Sequence, residues 1–398
     1  MNHLESKVNK AIIYAEPGTT NTKVIELPIP EPGSGQVLVR MLYSGVCHTD
    51  YSFCTNAWNF VPSTIKGQIG GHEGIGKVIA HGQNVSSPPL GTHVGIKYIS
   101  SACLTCKYCL MGAETDCVSA AISGYFTPGT FQQYCLAPAN YVTPIPDSVR
   151  EDELPGFAPL MCAGLAVYTG IKRCEVRSGQ WVAVSGAGGG LGHLAIQYAK
   201  ALGTRVIALD TGNKERLCKE VGADVFIDVM TFGKDEDLCG RVKKLTGGGV
   251  QAVISCSSSH RAYAQAMGIL DVRGTLVCLG IPEGDDVPMH GVRIGAMIGQ
   301  ELKIIAVKAG NRLDATETVN IAASGKVKTR YQLKKMEELT QVSCAFSDHK
   351  NKFLIRDRYS MRLKAVSFKE GLYWTYARII LPMKGELIRV RSSEMEVS

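Results

Sequence analysis

The segment "SACLTCKYCLMGAETDC" sets cysteines at 103, 106, 109 and 117. Thiolates are soft ligands suited to tetrahedral zinc, and the spacing C-x2-C-x2-C-x7-C supplies four of them from one loop, with no coordination position left for a substrate. Cys103, Cys106, Cys109 and Cys117 are therefore expected to close a structural zinc centre that fixes an otherwise irregular lobe. An iron–sulfur cluster is the competing reading, but its spacing is imperfect here and no proline follows the last cysteine.

A second group of ligands is scattered. "GVCHTD" (45–50), "GGHEG" (70–74) and "LMCAG" (160–164) each set one soft or borderline ligand between small residues. Cys47, His72 and Cys162 together offer two thiolates and one imidazole with an open fourth position, the arrangement of a catalytic zinc that polarises an oxygen. Taken singly, each is more simply a buried cysteine or a satisfied core histidine. Their conjunction with the four-cysteine loop points to a second metal.

The third element is "VAVSGAGGGLGHLAIQYAK", an apolar strand entering a glycine-rich turn and then an amphipathic helix. A helix N-terminus with free backbone N–H groups holds a pyrophosphate, and glycine lets the backbone approach it. The best G-x-G-x-x-G register is Ala187, Gly189 and Gly192, so alanine replaces the first glycine. Gly186, Gly188, Gly190 and Leu191 complete the turn. Asp210, at the end of the next apolar strand, is placed to accept from a ribose 2′-hydroxyl and to repel a 2′-phosphate, so NAD is expected over NADP. Lys214 is near enough in sequence to blur that preference, and the alternative role for Asp210 is a helix N-cap before "GNKER".

These residues need a frame. From about 24 to 150, short apolar alternations broken by Gly, Pro and Asn predict a mostly β domain whose loops carry the ligands. After about 160, β-rich runs ("WVAVSG", "TRVIALD", "ADVFIDV", "VQAVISC", "GTLVCLG") alternate with helical patterns, which predicts a doubly wound parallel sheet. The domain boundaries expected are 1–158 for the catalytic domain, 159–302 for the cofactor domain, 303–342 for a return to the catalytic domain, and 343–398 for an atypical tail.

At 398 residues and 45% apolar content the chain can bury more than one core. Its net charge of +7 is concentrated at the end, where residues 343–398 hold 11 Lys/Arg against 6 Asp/Glu. No basic stripe with interleaved aromatics precedes that tail, so neither a nucleic acid nor a membrane is an expected partner. The start of the chain shows no secretory pattern, which makes a cytoplasmic location the expectation. In a reducing compartment the remaining cysteines (Cys54, Cys135, Cys174, Cys218, Cys239, Cys256, Cys278 and Cys344) read as small buried apolar residues rather than disulfide partners.

Taken together, "SGVCHTD", "GGHEG", the four-cysteine lobe, "LMCAG", "VAVSGAGGGLG" and "GNRLD", in this order, resemble the zinc-containing alcohol dehydrogenases of the medium-chain dehydrogenase/reductase superfamily, and most closely the fungal, yeast-type enzymes. The likeness runs from about 24 to 341. It implies a GroES-like catalytic domain, a Rossmann cofactor domain, an active site between them, two zinc ions and NAD per chain, a small alcohol or aldehyde substrate, and a homo-oligomer, commonly a tetramer. By the same resemblance Cys47, His72 and Cys162 bind the catalytic zinc. Thr49 matches the hydroxyl that begins a proton relay, Asp50 the carboxylate that orients the zinc-bound histidine, and Glu73 another acid beside the metal. His48 matches a side chain near the cofactor pyrophosphate, and Trp58 and Tyr98 fall near the substrate-pocket wall.

Three departures stand out. Ser52 occupies the position where many relatives have the relay histidine, and serine is no general base near neutral pH, so proton release straight to water is the expectation. The segment "CTNAWNFVPSTIKGQI" is about two residues longer than in yeast-type enzymes. After "VKTRYQLKKMEELTQ" no ending of the "GRYVLD" kind follows, so the tail is expected to be foreign to the family and to leave the catalytic domain without its closing strand. The alternatives to an alcohol dehydrogenase are a carbonyl reductase with the same site and a catalytically impaired zinc- and NAD-binding homologue.

Overall fold

The run "QVLVRMLYSGV" alternates residues for two faces and carries no proline, as a central strand requires. In the computed structural model, which describes residues 8–125, 127–233, 235–289, 291–344 and the strand Arg378–Pro382, it is the longest strand, Gln36–Val46. It pairs antiparallel with Gly74–His81, Tyr134–Pro138 and Arg378–Pro382, at the centre of a seven-stranded sheet. Val37, Val39, Met41 and Val78 are buried beneath it. Cys47 follows this strand directly and His72 precedes Gly74–His81, so antiparallel pairing brings two distant ligands to one end of the sheet.

The second sheet is wholly parallel. Its six strands lie in the order Val225–Asp228, Arg205–Asp210, Trp181–Ser185, Val250–Ser255, Leu270–Cys278, Lys303–Ala306. Numbered along the chain this is 3-2-1-4-5-6, the order of a Rossmann sheet, whose ligands bind beyond the carboxyl ends of the strands. The first strand is buried throughout, as a parallel strand covered on both faces should be. The GroES-like and Rossmann-type architecture expected from the sequence is thus observed. No single helix among the described residues is long and apolar enough to cross a membrane.

Three expectations need correction. The cofactor sheet includes Lys303–Ala306, so a boundary at 302 falls one strand early. Its apolar run is only "KIIA", too short to stand out beside the five stronger ones. Arg378–Pro382 enters the catalytic sheet between Tyr331–Leu333 and Gln36–Val46, so this sheet does not lack a strand there. "RIILP" is a short, mostly apolar run that ends in proline and does not match the "GRYVLD" pattern. The remainder of the expected foreign tail, 345–377 and 383–398, lies outside the described residues. Finally, Cys344 is exposed and Cys239, Cys256 and Cys278 are half-buried, whereas Cys54, Cys135, Cys174 and Cys218 are buried as expected.

Candidate active site and metal centres

In the four-cysteine lobe, backbone and sulfur contacts form over a very short span. Cys106 N–H donates to Cys103 Sγ at 3.3 Å, and the N–H groups of Cys103 and Ser119 donate to Cys117 Sγ, each at 3.3 Å. Leu104, in the left-handed region at φ 60°, turns the loop between the first two ligands. The four sulfurs lie within 4.8 Å of one another, with Cys106–Cys109 at 3.6 Å and Cys103–Cys109 at 4.0 Å. A tetrahedron with metal–sulfur bonds of about 2.3 Å has sulfur–sulfur edges of about 3.8 Å, so the donors fit a zinc ion. Hydrogen bonds to Thr105 and Cys106 pull the Cys103 thiol down to about 6, while burial and the neighbouring sulfurs push Cys109 up to about 12. Cys103 is thus poised as a thiolate near neutral pH, whereas Cys109 needs a bound cation to lose its proton. The lobe docks on the chain beyond the sixth parallel strand, through Arg312–Glu114 at 2.9 Å, Lys308–Asp116 at 3.2 Å and Asn311 Nδ2 to the Gly112 carbonyl at 2.9 Å.

The second cluster joins Cys47, His72, Glu73 and Cys162, whose ligand atoms also lie within 4.8 Å of one another. Cys47 sits at the N-cap of the helix His48–Thr55, and Cys162 at the break between the turn Ala158–Met161 and the helix Ala163–Arg173. Glu73 packs so closely on Gly45 that a Cβ there would meet its Oε2 at 2.1 Å. Asp50 serves two ligands at once: Oδ2 accepts from the Cys47 backbone N–H at 2.8 Å, and Oδ1 lies 2.9 Å from His72 Nδ1. His72 is fully buried, with Asp50 as the partner of Nδ1, and its Nε2 has no completed hydrogen bond among the described residues, a cost of about 1–3 kcal/mol unless a partner is supplied.

Burial works against a charge on His72, but Asp50 and Cys47 outweigh it and hold the imidazole pKa well above its ordinary value. Surrounded by two thiols and two carboxylates, the pocket favours a positive charge at its centre. A proton meets that need in part. A divalent cation meets it fully, so these donors fit a zinc ion with a coordination position to spare.

Tyr98 stands edge-on to His72, with ring centroids 5.4 Å apart, and packs against the aromatic cluster of Tyr14, Phe53, Trp58 and Tyr125. Trp58 is buried, edge-on to Phe53, and its Nε1 has no hydrogen-bond partner among the described residues. Thr49 and Ser52 lie on the helix that starts at the metal cluster, Thr49 half-buried and Ser52 buried.

At the glycine-rich turn, Gly186 takes the left-handed φ of 71°, and a Cβ on Gly192 would meet the Gly186 carbonyl at 2.1 Å. The first-glycine role therefore falls on Gly186, one position before the alanine of the sequence register. The helix Gly192–Ala201 follows the turn, with Gly189, Gly190 and Leu191 leading into it. Asp210 accepts from the Gly188 backbone N–H at 2.8 Å and from Thr211 N–H at 2.7 Å. That fixes a carboxylate beside the turn, rather than on the following helix as its N-cap. Lys214 is buried over Gly188, and burial lowers its pKa against the opposing pull of Asp210.

Two family models match this chain: Alcohol dehydrogenase GroES-like domain over residues 33–147, and Zinc-binding dehydrogenase over 190–324. Alcohol dehydrogenase 2 of Emericella nidulans is 47% identical over 345 residues, covering 84% of this chain and 93% of that protein. The chain belongs to the zinc-binding alcohol dehydrogenases. Alcohol dehydrogenase of Schizosaccharomyces pombe is 40% identical, over 83% of this dehydrogenase and 92% of its own length. The solved alcohol dehydrogenase of Aeropyrum pernix superposes with a TM-score of 0.77 at 24% identity, covering 94% of this chain and 99% of that one, and shares the fold.

One residue of the dehydrogenase's cleft escaped the sequence reading. Glu283, on the loop after the fifth parallel strand, places Oε1 2.6 Å from His48 Nε2, so the half-exposed His48 meets a carboxylate of the other domain. The only signal in the sequence was its place beyond a strand's carboxyl end, where ligands of such sheets gather.

Proposed function

We propose that this protein catalyses reversible hydride transfer between a small primary or secondary alcohol and NAD, as a zinc-dependent alcohol dehydrogenase. The observation that carries the reading is the convergence of Cys47, His72 and Cys162 from three separate motifs on one buried point, with Asp50 bracing two of them. When bound, zinc supplies a Lewis acid for the substrate oxygen and NAD supplies the hydride acceptor. Cys47, His72 and Cys162 would hold the ion, Asp50 would fix the His72 ring, and Glu73 would add negative charge beside it. The Thr49 hydroxyl would receive the alcohol's proton. Asp210 would bind the adenine ribose and disfavour a 2′-phosphate. Cys103, Cys106, Cys109 and Cys117 would carry a second, structural zinc.

The test is a panel of alcohols and aldehydes followed by NADH absorbance, with and without a strong chelator. Turnover abolished by chelation supports the reading, and no turnover with any compound overturns it. The protein assembles, in this reading, as a homo-tetramer. The exposed Ile294 and Ile298 on the helix Ile294–Gln300 and the open edge of Lys303–Ala306 support association, and sedimentation analysis checks it. A cytoplasmic location suits eight ligand and near-ligand groups that include six thiols, and cell fractionation tests it.

A further inference from the structure

Ser52 interrupts the path by which a proton would leave the active site, and the structure sets a carboxylate against it. Ser52 Oγ donates to Glu283 Oε1 at 3.4 Å, and His48 Nε2 lies 2.6 Å from the same oxygen. The Glu283 loop is fastened to the catalytic domain just beyond that contact. Gly284 N–H donates to the Ala57 carbonyl at 2.8 Å, Asn59 N–H donates to the Gly284 carbonyl at 3.2 Å, and Asn59 Nδ2 donates to Asp285 Oδ1 at 2.7 Å. Exposure rises outward along the set: 1% for Ser52, then 12% and 48% for the side chains of Glu283 and His48.

We propose that Glu283 is the proton acceptor at the outer end of this path, reached through the Ser52 hydroxyl. The inference rests on the alcohol dehydrogenase reading. Oxidation of an alcohol delivers one hydride to the nicotinamide and one proton to the protein. A hydroxyl can donate and accept at the same time, whereas an ionised carboxylate only accepts. A proton arriving at Ser52 Oγ therefore bonds there while the hydrogen facing Glu283 passes to its carboxylate. Ser52 is left unchanged, and Glu283 returns the proton to bulk water. In the reducing direction the same steps run backwards. Thr49 and Ser52 are three positions apart on one helix and so occupy neighbouring faces. His48 and Ser52 from that helix are set against Glu283, while Asp285 on its own loop is turned to Asn59.

The experiment compares single-turnover hydride transfer and indicator-detected proton release in the wild type, Glu283→Gln, Glu283→Asp, Ser52→Ala and Ser52→His. Glu283→Gln should slow both signals roughly 10- to 100-fold at pH 7, with a loss that shrinks toward pH 9 as hydroxide replaces the acceptor. Acetate should accelerate this variant and not the wild type. Ser52→Ala should match it, and a double variant that combines Ser52→Ala with Glu283→Gln should be no slower than either single one. Glu283→Asp and Ser52→His should keep most of the rate, with zinc content and NAD affinity unchanged throughout. A Glu283→Gln enzyme with the wild-type rate and pH profile overturns the proposal. So does a loss that is equal at every pH and insensitive to acetate, because the residue then only fastens the loop. If no alcohol reduces NAD in the wild type, the enzyme reading falls too, and that result is distinguishable from either of these.

Discussion

The two candidate metal centres use the same kind of ligand but are built by opposite routes. The lobe gathers four cysteines from residues 103–117, closed by N–H···S bonds and a left-handed turn at Leu104, and docks on the rest of the protein through two ion pairs, one of them to the buried Glu114. The active-site cluster gathers Cys47, His72 and Cys162 from a strand end, a strand start and a helix break, and its scaffold is the buried seven-stranded sheet. In the lobe a bound metal would supply the order, because few apolar groups are buried and Leu110, Met111 and Val118 are largely exposed. In the active site the fold supplies the order, and a bound metal would supply chemistry.

The strongest way to break this comparison is to exchange the damage. Cys47→Ala or His72→Ala should remove one zinc by elemental analysis and reduce kcat/KM more than about 10³-fold, on the scale of a lost catalytic group, with the thermal midpoint little changed. Cys109→Ser should remove the other zinc and lower the midpoint steeply, because structural zinc binding is folding free energy. Retention of two zincs by either variant, or a stable Cys109→Ser protein with full activity, would erase the distinction.

The next effect is smaller and sharpens the contrast. Asp50→Asn leaves every active-site ligand in place but weakens the brace on both Cys47 and His72. Zinc affinity should fall roughly 10- to 100-fold at the active site only, as measured by competition with a chromophoric chelator. The lobe has no such brace among its described contacts, so its zinc should persist.

Asp210→Gly tests the cofactor turn against both centres. It should erode the preference for NAD, read as kcat/KM for NAD against NADP, and leave both zincs bound. Equal use of the two cofactors by the wild type would remove the role assigned to Asp210.

The smallest effect lies on the seam between the centres. Lys97 is fully buried, donates to the Tyr141 carbonyl and to Thr143 Oγ1, and precedes Tyr98 of the pocket. Burial lowers its pKa to about 7, with Glu114 of the lobe opposing and Arg312 assisting. Between that value and about 10.4, the ordinary value for lysine, the unfolded chain binds the proton that the folded chain has released, so stability rises with pH. Below pH 7 both states are charged and the burial penalty is constant. Chemical denaturation between pH 7 and 9.5 should show a steeper rise in the wild type than in Lys97→Met. Parallel curves would mean that the two acceptors and the Tyr141 ring, 4.4 Å from Nζ, keep the lysine charged.

What the sequence determined by itself is whatever a few neighbouring residues decide. Four cysteines within fifteen positions can close one centre whatever the rest of the chain does, and a strand followed by "GAGGGLG" can only make a tight, backbone-lined turn. The candidate ligands Cys47, His72 and Cys162 were visible too, but only as motifs, since nothing local fixes their distances. Tertiary structure decided the rest. It brought those three within 4.8 Å, gave the left-handed turn to Gly186, put Arg378–Pro382 beside Gln36–Val46, and set Glu283 against Ser52 and His48 across the cleft. Such contacts depend on how two domains pack, and a loop carboxylate's partner is chosen by that packing rather than by its neighbours in the chain.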